Sequence, residues 1–387
     1  MEKLFAHLKG DKVIWVVVFL LWGISIVTVY SFVPILVKSE GGSPFGYLFK
    51  HTIYVFIGFV VMRWIHTKDP KYVEKLSKFI FYVAIALLIF TFFFGVRVND
   101  ASRWVRVPFI GLTFQSSDFA KFALVIFLSR RLVTRNEATT SWKEDFFSFT
   151  VPILLMCALI AKDNFSTAVI LFGVSLLLLF VAQYPIVKML GIIGSGIVGL
   201  GSFVLLHLAF PALNLLPRFD TWMNRFFRAY GEQSATVENM QAINAKLAIY
   251  NGGYTGVGVG QGELKHYTPE AYADFFYSSF VEEFGLIVAV FLILLYLILF
   301  YRILKIGLNA KNQFDVFVAI GIGLTFLSQA IVNMFVCTGL MPVTGQIMPF
   351  LAMGGSAMVM SSLALGVVQS IAHKNGLGQK VTSNKIS

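Results

Sequence analysis

Charge is what this chain has least of. Only 13% of its 387 residues are Asp, Glu, Lys or Arg, against about 25% in a soluble globular domain. That shortage excludes an ordinary soluble enzyme. Cysteine is nearly missing as well. Cys157 and Cys337 both fall inside apolar runs, where they read as small buried hydrophobes and give no sign of a disulfide framework. The glycine-rich stretch Gly256–Lys265 lacks the Gly-Lys-Ser/Thr that a nucleotide-binding phosphate loop requires. The first apolar run follows Lys3, Lys9 and Lys12 with no small-x-small cleavage site after it, so it is expected to stay as an anchor. No internal repeat of the transporter kind is visible.

Apolar residues fill the space that charge leaves. They make up 57% of the chain, and the mean hydropathy is +0.77. That is enough for about ten spans of ~20 residues. Ten apolar runs fall at Val13–Val37, Tyr54–Ile65, Phe79–Phe94, Phe114–Leu132, Phe146–Ala161, Phe165–Val181, Val187–Phe210, Tyr277–Phe300, Phe314–Val336 and Ile347–Ile371. The expected fold is therefore an all-α polytopic membrane protein of about ten transmembrane helices. With the N-terminus in the cytoplasm, 19 of the 31 Lys and Arg residues lie inside, which predicts an N-in, C-in topology. The net charge of +11 is then mostly a topology signal, and no nucleic-acid partner is expected.

The inward loops are too short for a soluble nucleotide-binding domain. The chain reads as one membrane domain over 1–373 with a short cytoplasmic tail at 374–387. The one long connection, about 211–276 between spans 7 and 8, faces outward, and loops of that length are usually functional. Within it, Val237, Met240, Ile243, Leu247 and Tyr250 have the spacing of an amphipathic helix that ends at Asn251-Gly252-Gly253. Such a helix could lie along the outer membrane surface.

Polar residues inside or beside spans need a reason, because a charge at mid-membrane costs roughly 2.5–3.5 kcal/mol on insertion scales. Asp118 and Lys121, three apart near the start of the fourth span, share a helical face. They are either a self-neutralising pair or the wall of a polar cavity, with Arg103 and Arg106 upstream to hold an anion. The Gly256–Lys265 stretch reads as a flexible loop offering backbone N–H groups and Lys265 to a phosphorylated ligand. Asp274, flanked by aromatics where water gives way to lipid, is either a helix cap or a general base. Ser278 and Glu282 follow it at four-residue steps. Met341–Ser356 is an uncharged start to the tenth span, broken by proline and glycine. Backbone broken at membrane depth survives only where protein or a water-filled cavity satisfies it. Packing is the other reading of Gly354-Gly355.

These blocks, in this order, resemble the SEDS family of bacterial cell-wall polymerases. The matching residues are Arg103-Trp104 with Gln115-Ser116-Ser117-Asp118-Phe119-Ala120-Lys121, then Gln241, then Thr268-Pro269-Glu270 through Asp274-Phe275 with Glu282-Glu283-Phe284-Gly285. The last block is Pro342 to Ser356, preceded by Asn333. Gly10–Trp15 and Thr344-Gly345-Gln346 look more like the family's division member, in its Bacteroidetes form, than its elongation member. Two departures stand out: Ser116 replaces a proline, and Asp118 replaces a glutamate.

The resemblance implies a peptidoglycan glycosyltransferase that polymerises lipid II at the outer face of the cytoplasmic membrane and releases undecaprenyl pyrophosphate. Asp274 is the expected catalytic base. Arg103, Lys121 and Lys265 are expected to offset pyrophosphate charge, together with a divalent cation (magnesium or manganese) if carboxylates hold one. Gln115, Asp118, Gln241, Glu282, Thr344, Gly345, Pro349, Gly354, Gly355 and Ser356 complete the expected substrate-binding set. A class B penicillin-binding transpeptidase and other division proteins are the implied partners. A lipid II flippase is the competing reading, and a scaffold that only recruits a transpeptidase is a third.

Overall fold

The computed structural model describes residues 8–98, 101–106, 113–136, 140–162, 164–210, 223, 237–268 and 271–376. Each of the ten predicted runs is helical over most of its length. The helices are α1 (Lys12–Glu40), α2 (Pro44–Ile65), α3 (Pro70–Phe94), α4 (Ser116–Thr134), α5 (Trp142–Ala161), α6 (Phe165–Val181) and α7 (Ile186–Ala209). After the long connection come α8 (Val237–Gly252), α9 (Phe276–Leu308), α10 (Gln313–Thr338) and α11 (Gly355–Lys374). Among the described residues, eight of these are long and apolar enough to cross a membrane. α6 is one short apolar helix more, and α4 carries Asp118, Lys121, Arg130 and Arg131.

Two differences from the sequence reading matter. A small antiparallel sheet, β1 (Val96–Val98), β2 (Ala101–Arg106) and β3 (Thr113–Gln115), precedes α4. The last span begins at Gly355, because 342–348 has no regular secondary structure and 349–353 is turn and bend. Most of the 211–236 segment, Pro269-Glu270 and the tail beyond Gly376 lie outside the described residues.

The chain divides into two compact units, Met1–Tyr72 with Arg228–Ser387, and Val73–Phe227. In the first, Asp11 caps α1, its carboxylate accepting from the amides of Val13 and Ile14 at 2.9 and 3.2 Å. The same carboxylate pairs with Arg302 near the end of α9. The Gln369 side chain of α11 brackets the Asp11 peptide, accepting from its N–H at 2.7 Å and donating to its carbonyl at 2.9 Å. One short acid thus joins three helices at one end of the bundle. α2 and α11 pack closely, because Gly58 and Gly366 admit the facing helix where a methyl would meet Ser362 Oγ at 2.6 Å and Met62 Cα at 3.2 Å.

The second unit is held by a buried ion cluster. Asp145, at 2% exposure, pairs with Arg135 at 3.1 Å and with Lys188. It sits just before a π-helical turn over Phe146–Thr150 inside α5. α7, by contrast, buries only Ile192 and presents the rest of its apolar surface outward, as a lipid-facing span would.

Candidate active site

α9 is broken at Gly285, whose φ of 79° and ψ of 169° are not helical. In a continuous helix the Leu286 and Ile287 amides would bond the Glu282 and Glu283 carbonyls. Here those groups turn to the glycine-rich loop instead. The Val257 and Gly258 amides donate to the Glu282 and Glu283 carbonyls at 2.9 and 3.0 Å. The Leu286 and Ile287 amides donate to the Gly253 and Tyr254 carbonyls at 3.0 and 3.2 Å. Four backbone groups that would otherwise be orphaned are satisfied by one strand of loop. Gly256 (φ +81°) and Gly285 permit this approach, since a Cβ on either would run into the backbone of the opposing segment. The expectation of a flexible phosphate-binding loop is therefore corrected: the amides of Val257 and Gly258 are spent on α9.

Lys265 corrects the same expectation. It lies in a 3₁₀ turn, Leu264–Tyr267, at 2% exposure. Its ammonium donates to Ser31 O at 3.0 Å, Ser31 Oγ at 2.5 Å and Glu283 Oε1 at 2.5 Å. With three donors and three acceptors, it has none left for a pyrophosphate. Glu282, also at 2% exposure, accepts from the amides of Glu263 and Leu264, both at 3.2 Å. It anchors the loop through one oxygen, Oε1. Glu282 Oε2 and Glu283 Oε2 are buried with no hydrogen-bond partner among the described residues, and no three His, Cys, Asp or Glu side chains among the described residues form a metal-binding group.

Asp274 is placed differently. It lies in the turn 271–275 before α9 and is half-buried, while Ala271, Phe275 and Phe276 around it are at 0–1% exposure. The helix-cap reading is corrected, because Phe275 is the N-cap of α9 and no side chain caps it. The turn's backbone is fixed from α10. Asn333, fully buried, donates through Nδ2 to Ala273 O at 3.3 Å, Asp274 O at 3.0 Å and Gln346 O at 2.7 Å. Its Oδ1 accepts from the Tyr277 amide at 3.4 Å. The Met353 amide adds a bond to Tyr272 O at 3.3 Å. Asp274 is thereby brought beside the irregular segment that carries Thr344 and Gly345, both half-buried.

That irregular segment is satisfied by side chains from several helices. Gln346 O is held by Asn333, Pro349 O by Tyr296 Oη at 2.5 Å, and Leu351 O by Ser25 Oγ at 2.7 Å. His51 backs Ser25, its Nε2 lying 2.8 Å from Oγ. Pro349 and Ser356 are buried, and Gly354 and Gly355 are close-packing positions. A Cβ on Gly354 would meet Ile347 Cδ1 at 2.9 Å, and one on Gly355 would enter the Tyr54 ring. These four were expected to touch substrate. Buried and packed, Pro349, Gly354 and Ser356 shape the segment, and Gly355 seats Tyr54; Thr344 and Gly345 are half-buried with Pro342, Val343 and Ile347, and the Thr344 hydroxyl is itself buried with no partner among the described residues. Gln241 is half-buried on α8.

In the second unit, β2–β3 pairing sets Trp104 opposite Gln115, joining two blocks ten residues apart in sequence. The Arg103 backbone lies on β2, and its side chain is outside the described residues. Gln115, half-buried, donates through Nε2 to Ser117 Oγ at 2.9 Å. Lys121 donates to Asp118 Oδ1 at 2.9 Å, and both are buried. The pair that the spacing predicts is formed, and Lys121 is a buried cation beside Asp118.

The sequence reading missed Ser25, Ser31, His51 and Tyr296. Histidine and serine inside apolar runs were the available signal, since polar groups at membrane depth need partners. α8 forms as predicted, yet it packs through Asn244, Ala245, Ala248 and Gly252 and leaves Met240, Ile243, Leu247 and Tyr250 outward.

Comparison with known proteins places this architecture. Residues 11–376 match the FtsW/RodA/SpoVE family model, described as "Cell cycle protein". A Trichlorobacter lovleyi protein called "Probable peptidoglycan glycosyltransferase FtsW" is 30% identical over 376 residues, covering 96% of this chain and 95% of its own. The Bacillus subtilis stage V sporulation protein E is 28% identical, over 94% and 95% of the two chains. Among solved structures, Thermus thermophilus rod shape determining protein RodA superposes with a TM-score of 0.65 at 20% identity, over 94% and 97%. A chain from a peptidoglycan synthase complex, described as coordinating polymerization and crosslinking, does so with a TM-score of 0.72 at 20% identity, over 95% and 98%. The chain belongs to the FtsW/RodA/SpoVE family.

Proposed function

We propose that this protein is a peptidoglycan glycosyltransferase that polymerises lipid II at the outer face of the bacterial cytoplasmic membrane during septal wall synthesis. Residues 1–373 act as one catalytic membrane domain, N-in and C-in, with 374–387 as a cytoplasmic tail. The carrying observation is the contrast in burial among three acids around the start of α9: Glu282 and Glu283 are at 2% and 3% exposure, whereas Asp274 is half-buried on a turn whose backbone Asn333 holds. The relatives called peptidoglycan glycosyltransferases support the same chemistry.

Asp274 takes the proton from the 4-OH of the acceptor GlcNAc. That oxygen attacks C1 of the donor MurNAc with inversion, and the C1–O bond to undecaprenyl pyrophosphate breaks. The pyrophosphate leaves with the bonding pair, so the donor itself supplies the driving energy. Thr344, Gly345, Gln241 and Gln115 are the remaining candidates for sugar contacts, and Arg103 for pyrophosphate. The outward stripe of α8 lies in the membrane interface. A class B penicillin-binding transpeptidase is the expected partner, supported by the likeness to a chain from a peptidoglycan synthase complex described as coordinating polymerization and crosslinking.

The test is lipid II polymerisation by the purified full chain and its Asp274→Asn variant. Loss of a general base lowers the rate about 10²–10⁴-fold. Undiminished glycan from the variant removes Asp274 from the mechanism. A flippase would give no polymer in detergent, where transport has no meaning.

A further inference from the structure

We infer that Asn333 is a positioning residue: its carboxamide sets Asp274 against the Thr344–Gln346 segment and so fixes the angle at which the base meets the acceptor hydroxyl. This deepens the reading of Asp274 as base and rests on it.

The inference comes from how the carboxamide is used. Asn333 sits inside α10, fully buried, and faces two stretches of chain far apart in sequence, 273–277 and the backbone at Gln346. Its Nδ2 serves the Asp274 and Gln346 carbonyls at 3.0 and 2.7 Å, while Oδ1 takes the Tyr277 amide. An amide is the side chain that can both donate twice and accept on one planar group. Asp274 O belongs to a turn and Gln346 O to irregular backbone, so neither carbonyl has a helix or sheet ladder to hold it. Both carbonyls need donors once buried, and one side chain meeting both fixes their separation. The carboxylate of Asp274 is one residue's side chain away from that anchored carbonyl, so a shift of the turn is passed on to it. Misplacement by ~1 Å can cost on the order of 10²-fold in rate.

Asn333→Ala removes all of these bonds. Asn333→Asp has the same size and keeps an acceptor for Tyr277, but it loses the paired donors. For either variant of the full chain, the expected result is a kcat for lipid II polymerisation lower by about 10- to 100-fold, with KM within about two-fold because no substrate contact is removed. In the Asp274→Asn background the same substitution should lower the residual rate by less than about two-fold, since groups acting as one unit are non-additive. If Asn333→Ala does not yield monodisperse protein, Asn333→Asp carries the cycle.

The outcomes separate cleanly. An undiminished Asp274→Asn variant overturns the base assignment, and this inference with it. An inactive Asp274→Asn alongside fully active Asn333 variants overturns the positioning role alone. So do equal losses from the Asn333 substitution with and without Asp274, which mark a general structural effect.

Discussion

Removing the Lys265 ammonium while keeping its length, as Lys265→Met, should destabilise the protein more than any surface lysine substitution. The side chains of Lys265 and Glu283 are exposed by only 1% and 2% and sit 2.5 Å apart. Taking away one partner of such a buried pair costs about 3–5 kcal/mol, because the other charge stays desolvated. A chain of this size moves by ~2 °C per kcal/mol, the lower end of the usual range, so the apparent Tm in detergent should fall by about 6–10 °C. Lys265→Met combined with Glu283→Gln removes both charges of the pair. Replacing a buried pair by neutral groups of like volume is far milder than halving it, so the double variant should recover more than half of the drop. The measurement is thermal unfolding followed by intrinsic fluorescence for the two single variants and the double. A double variant that falls as far as the two singles together would show no coupling between the charges, and the pin would have to be abandoned.

Other expectations concern separate parts of the molecule. Gly256→Ala should abolish or strongly reduce the yield of folded protein, because its Cβ would strike the Glu283 carbonyl. Gly260→Ala, at φ +82° but in open space, should cost only about 1–2 kcal/mol of backbone strain, read as a Tm shift of a few degrees. Asp118→Asn should lower the apparent Tm through an unpaired Lys121, and Lys121→Gln added to it should restore part of the loss. Stability should also fall on acidification below about pH 6.5, the ordinary histidine value. Partial desolvation holds the exposed His266 below that value, with the neighbouring Lys265 and Lys38 acting in the same direction, and burial lowers His66. The unfolded chain therefore binds protons more readily, and stability rises with pH through this window. His266→Gln should flatten the Tm–pH slope between pH 5 and 7, and an unchanged slope would remove His266 from the effect.

The helices were legible because a membrane span writes its length and apolarity directly into sequence. Even α4, with four charged residues, could be placed from Phe122–Leu128 between its polar ends. The glycine-rich loop was not legible, and the reason is physical. Glycine reports that a backbone needs room or an unusual φ, but it does not report what comes into that room. At Gly256 it is the α9 backbone and not a phosphate. Lys265 misled in the same way: its charge was visible, while the partner it neutralises, Glu283, is 18 residues along and Ser31 is 234 residues back. At Asp274 the residue type and its aromatic flanks were readable. The amide that fixes its turn comes from position 333 and could not be read as its partner.

These misreadings share a cause that bears on how the site is built. The family's outward blocks were expected to offer polar groups to a ligand, yet most of those groups face protein. Glu283 and Lys265 spend their hydrogen bonds on each other and on Ser31, and Glu282, Asn333, Tyr296 and Ser25 spend theirs on backbone outside the long helices. A chain in a bilayer cannot leave such backbone to lipid, so every irregular segment near the membrane calls for its own set of buried polar side chains. The cost falls where the irregularity is useful, at the broken α9, at the turn before it and at the start of α11. Asp274, Thr344, Gly345 and Gln241 are among the residues of the first unit that those supports leave half-buried and not fully buried. At Asp274 a backbone carbonyl anchored by Asn333 belongs to a residue that stays partly accessible, and this division between fixed peptide and accessible residue is what a positioned base requires.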